Sequence, residues 1–61
     1  MNNLKELRIK KCMSQRMLAE KADLMVSTIV NLEKDRNRPH FVTIHKLANA
    51  LGIDVEELKF E

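Results

Sequence analysis

The sequence contains no tryptophan, no tyrosine and two phenylalanines. That excludes the aromatic stacking platforms on which single-strand nucleic-acid binders lay their bases. One glycine and one proline argue against a loop-rich fold. One cysteine closes no internal disulfide, which fits a reducing compartment. No apolar run approaches the ~20 residues of a membrane span, and the first residues carry no apolar signal core. These absences predict a cytoplasmic protein with no membrane partner. Sixty-one residues make one domain, residues 1–61, near the small end of what folds unaided. So short a chain hardly holds both a core and a walled substrate pocket, so an enzyme is not expected. Nor is a cofactor or a small-molecule ligand.

What is present is globular: 44% hydrophobic and 33% charged residues, rich in helix formers. The net charge of +2 is unevenly placed. Residues 1–38 carry nine basic side chains against five acidic ones, a balance of +4. Residues 39–61 carry two against four, a balance of −2. One end of the fold is expected to attract polyanions, although a solvated charged surface accounts for the same numbers.

The pattern predicts an all-α domain of five short helices. Asn3 with Glu6 three residues on fits a capped helix start, followed by Leu4, Leu7 and Ile9. Ser14 is the next N-cap, and Met17, Leu18, Ala19 and Ala22 follow at helical spacing from Gln15 to Lys21. Asp23, Leu24 and Met25 form a turn. Ile29 and Leu32 mark a third helix from about Val26 to Glu33. A polar, basic connection from Lys34 to Pro39 leads to the clearest amphipathic stripe: Phe41, Ile44, Leu47, Ala48 and Leu51. Gly52 suits a left-handed helix end. Asp54, with Glu57 in the capping-box position, opens a last helix carrying Val55, Leu58 and Phe60.

Residues 14–33 thus hold a helix, a tight turn and a second helix, with small Ala19 where the two cross. This is a helix-turn-helix pattern. Leu7-Arg8, Ser14-Gln15, Leu18-Ala19, Thr28-Ile29, Leu32-Glu33, Pro39 and the run Leu47-Ala48-Asn49-Ala50-Leu51-Gly52-Ile53 extend it in one register over nearly the whole chain. Together they resemble the lambda repressor-like, Cro-type (XRE) DNA-binding domain.

That resemblance implies a sequence-specific binder of double-stranded DNA, most simply a repressor from a prokaryote, phage or mobile element. Ser14 and Gln15 resemble residues that hold a DNA phosphate, where a helix N-terminus offers amide groups and positive potential. Lys34, Arg36 and Arg38 lie in what resembles the second phosphate-contact segment, and Thr28 falls near the backbone. The third helix is expected in the major groove, with Met25, Val26, Ser27 and Asn31 facing base edges. Arg8 and Glu33 match a structural salt bridge. Small readers of this kind act as symmetric homodimers, and Ile53, Val55, Leu58 and Phe60 are the candidate dimer surface, with core packing the alternative for each.

The chain also departs from its relatives. Cys12, Asp23 and Asp35 stand where many have glycine, and Met25 where a Ser or Thr cap is common. The recognition surface is poor in donors, and Asp35 reduces phosphate attraction. Two other functions compete. One is an antitoxin-like protein-interaction module using Met25, Val26 and Val30. The other is an architectural DNA protein with little sequence preference. Cys12 as a buried or idle thiol, Met13 and Met17 as core filler and His40 as a surface residue are the bland expectations, and no metal site is expected because His40 and His45 do not share a helical face.

Overall fold

The computed structural model describes residues 1–60. Four α-helices follow one another: α1 (Leu4–Lys10), α2 (Gln15–Ala22), α3 (Val26–Glu33) and α4 (Phe41–Leu51). The expected fifth helix is instead a single 3₁₀ turn, Val55–Glu57. Glu57 there accepts from the Asp54 amide at 2.9 Å, but the chain turns extended at Leu58. Helix α2 packs on α3 and α4, α1 packs on α3, and the 3₁₀ turn packs on α4.

The core is one cluster: Leu4, Leu18, Ala19, Ala22, Ile29, Leu32, Leu47, Ala48, Leu51 and Leu58. Its three alanines lie on α2 and α4, where small side chains let helix backbones approach. The stripe on α4 holds from Ile44 to Leu51, but Phe41 is 73% exposed. Its ring meets the His45 ring edge-on instead of the core. Ile9 and Met17 also point outward, contrary to the expected packing, whereas Met13 packs on the core.

Every α-helix ends the same way. A left-handed residue (Cys12, Asp23, Asp35 or Gly52) reverses the chain, with φ between 57° and 70°. The amide of the next residue then bonds five positions back: Met13 to Arg8 O, Leu24 to Ala19 O, Arg36 to Asn31 O and Ile53 to Ala48 O, at 2.8–3.1 Å. These are Schellman turns, which satisfy carbonyls left over at a helix C-terminus. Glycine suits the left-handed position best, yet three of the four turns do without it. Met13, Leu24 and Ile53 then pack against the core as the apolar half of the motif. Arg36 is the exception, and its side chain stays in solvent.

The start of α1 departs from expectation. The Asn3 side chain makes no capping bond. Its Nδ2 donates to Glu57 O at 2.8 Å, and its Oδ1 accepts from Lys59 N at 2.9 Å. Asn2 and Phe60 form an isolated antiparallel bridge beside it. The two ends of the described chain are therefore fastened to each other.

Candidate nucleic-acid interface

The geometry begins with one buried cation. Arg8 on α1 is 9% exposed. A guanidinium taken out of water needs a paired anion and filled donors. Its Nε donates to Glu33 Oε2 at 2.6 Å, its Nη2 to Glu33 Oε1 at 3.3 Å and its Nη1 to Met13 O at 2.7 Å. The side chains of Arg8 and Glu33 are only 11% and 4% exposed, so water screens the pair weakly. The expected salt bridge is present and fork-shaped.

Glu33 has a third partner: Gln15 Nε2 donates to its Oε1 at 3.1 Å. Gln15 opens α2 and Glu33 closes α3. One carboxylate therefore ties the start of α2, the end of α3 and the middle of α1 together. Among the described residues, no buried side-chain polar atom lacks a partner. Ser14 caps α2 as expected, its Oγ accepting from Met17 N at 3.0 Å. The cap leaves the amides of Gln15 and Arg16 at the positive end of the helix dipole.

Helix α3 turns Ile29 and Leu32 into the core and leaves Ser27, Asn31 and Lys34 on the opposite side. Met25 makes no side-chain cap and is 72% exposed, and Val26 is 39% exposed. Ser27 is exposed, whereas Thr28, Val30 and Asn31 are half-buried. Of the four candidate base-facing residues, Met25 precedes α3 as its N-cap, Val26 and Ser27 open the helix, and Asn31 lies one turn on from Ser27. At its far end, Arg36 Nη1 donates to Asn31 Oδ1 at 3.4 Å, a long bond between two solvent-facing side chains.

Lys34, Arg36 and Arg38 are all exposed. Behind them, a groove of about 380 Å³ opens between α3 and the start of α4, lined in part by Thr28, Asn37, Arg38, His40 and Thr43. It brings together Thr28 and Arg38, two of the candidate phosphate contacts. His40 occupies the N-cap of α4 without a side-chain cap bond. The groove therefore combines a cation, hydroxyls and the positive end of a helix, a setting that suits an anion. Asn37, His40 and Thr43 were not identified from sequence as part of it. Pro39, two residues before the amphipathic helix, was the available signal, since it ends the loop and leaves His40 at the helix start.

Of the candidate dimer residues, Leu58 is buried in the core, and Ile53 and Phe60 pack against it. Val55 is 37% exposed. Cys12 is exposed, in its left-handed turn. No helix among the described residues is long and apolar enough to cross a membrane.

Comparison with known proteins agrees with this geometry. A family profile described as helix-turn-helix matches residues 4–58. The immunity repressor protein of Bacillus phage phi105 is 38% identical over 55 residues. The match covers 90% of this chain and 38% of that repressor, so the chain spans well under half of its relative's length. No solved structure matches. The chain belongs to the helix-turn-helix family of lambda repressor-like, Cro-type DNA-binding domains.

Proposed function

We propose that this chain binds double-stranded DNA sequence-specifically, as a homodimer, and represses transcription by occupying an operator. The observation that carries this is the Arg8–Glu33–Gln15 network. It holds the start of α2 and the end of α3 in one rigid frame. Ser14 and Gln15 then hold a phosphate on one side of the major groove, and Lys34, Arg36 and Arg38 hold phosphates on the other, with Thr28 beside them. Between the clamps, Met25, Val26, Ser27 and Asn31 face base edges. Asn31 can pair with adenine, Ser27 donates or accepts, and Met25 or Val26 meets a thymine methyl.

The described residues measure 23 × 23 × 20 Å. One copy therefore serves one half-site, and two copies fit half-sites about 34–36 Å apart. Val55 is the exposed member of the candidate dimer surface, whereas Ile53 and Phe60 pack against the core. The immunity repressor of the phage relative supports the repressor role and a phage or bacterial setting.

Titration of duplex DNA against salt tests the proposal. Three loop cations per copy neutralise six phosphates per dimer, so log K falls with log salt at a slope of about −5. Replacing Lys34, Arg36 and Arg38 together by alanine is expected to flatten most of that slope. Tight binding that ignores salt contradicts the proposal. The exposed apolar side chains of Met25 and Val26 favour a second reading, an antitoxin-like protein-interaction module. A salt-insensitive protein complex without duplex affinity is its signature.

A further inference from the structure

Asn2 has no part in the DNA-facing geometry described above, yet its side chain is fully engaged. Its Nδ2 donates to Leu32 O at 2.7 Å and to Asp35 Oδ1 at 2.6 Å, and its Oδ1 accepts from Leu4 N at 3.0 Å. The first bond fastens the start of α1 to the last turn of α3. The second catches the only acidic side chain between Lys34 and Arg38, whose Oδ1 also lies 3.7 Å from the Met1 ammonium. Asp35 is also the left-handed residue of the turn, so its placement sets the direction of Lys34 before it and Arg36 after it. Asn2 is itself braced from the other side by its bridge to Phe60 and by the bonds of Asn3 to Glu57 and Lys59.

We propose that Asn2 is a positioning residue for the DNA backbone contact. It holds the loop 34–38 in its binding geometry and draws the Asp35 carboxylate toward α1, away from the phosphates that Lys34 and Arg36 seek. Without Asn2 that carboxylate keeps an exposed ion pair with the Met1 ammonium, which holds it weakly, so it opposes both cations, and a loosened loop must be ordered at each binding event. The inference rests on the proposed function.

The test is a salt titration of a mixed-sequence duplex of about two helical turns, with the whole chain, at a temperature where circular dichroism shows each variant folded. Asn2→Ala changes no charge; it is expected to weaken binding about tenfold and to make the salt slope shallower by about one unit. Asn2→Asp sets two carboxylates against each other and is expected to bind more weakly still. Adding Asp35→Asn to Asn2→Asp restores the net charge and the donor–acceptor pair between positions 2 and 35 with the roles exchanged, while Leu32 O stays without its side-chain donor. It is expected to recover part of the binding lost in Asn2→Asp, about threefold. Asp35→Asn alone is the control, because removing the carboxylate from among the cations raises affinity by itself: Asn2→Asp is expected to cost less in that background than in the wild type, a coupling that neither general loss of stability nor loop charge alone produces. Binding by Asn2→Ala within twofold of the wild type overturns the inference, as does an equal cost of Asn2→Asp in the wild-type and Asp35→Asn backgrounds. If Asn2→Ala does not fold, the comparison of Asn2→Asp in the two backgrounds decides. If the wild type binds no duplex, the proposed function itself fails, and the inference with it.

Discussion

Replacing Cys12 by glycine is expected to stabilise the protein. Cys12 ends α1 at φ 58°, and its thiol is exposed, so truncation removes little packing. A left-handed conformation costs an L-residue about 1–2 kcal/mol. Glycine escapes that cost but gives back about 0.5–1 kcal/mol through the greater freedom of its unfolded chain. The balance favours glycine by about 0.5–1 kcal/mol. For a domain of this size that raises the melting temperature by about 2–8 °C. Asp23 at φ 57° is expected to gain less, because a short polar side chain tolerates this region better. Asp35→Gly is expected to gain nothing, because it also removes the acceptor of the Asn2 bond, worth about 0.5–1.5 kcal/mol. Thermal melts followed by circular dichroism measure all three, with Cys12→Ala as the control that keeps a Cβ. A Cys12→Gly protein that melts at or below the wild type, beside an unchanged Cys12→Ala, refutes the strain assigned to these helix ends.

The remaining predictions concern the buried frame and the outer side of α3. Glu33→Ala strands the Arg8 guanidinium and is expected to cost about 3–5 kcal/mol. Total stability at this length is about 3–9 kcal/mol, so the loss takes about a third of it or more and urea denaturation should show a much lower midpoint; an unchanged midpoint contradicts this. Gln15→Ala is expected to weaken binding to every duplex alike, seen as parallel shifts in competition titrations. Asn31→Ala should relax preference at one base position by about 1–3 kcal/mol, and an unchanged preference profile shows that α3 is misplaced.

The helices, the turn at Asp23 and the Arg8–Glu33 pair were legible in the sequence because each rests on local spacing or on a family pattern carried by named residues. Val26–Glu33 was read to the residue. The last helix was not, because Asp54 and Glu57 signal a start equally well for one turn or for three. Asn3 looked like a cap because caps are recognised locally, but its partners are Glu57 and Lys59, more than fifty residues away. Phe41 fell on the apolar stripe of α4, yet it lies in the first turn, beyond the core. The bond of Gln15 to Glu33 and the bonds of Asn2 escaped for the same reason. Polar contacts between elements leave no periodic trace, and they are the contacts that frame the interface.

Selection of bound duplexes from a random DNA pool, at two salt concentrations, tests the central claim most directly. The expected result is a palindromic consensus with half-sites about 10 base pairs apart and enrichment that falls steeply with salt. Absence of any enriched sequence, with all binding lost at moderate salt, contradicts sequence-specific reading by α3 and moves the function of its exposed apolar side chains to a protein partner.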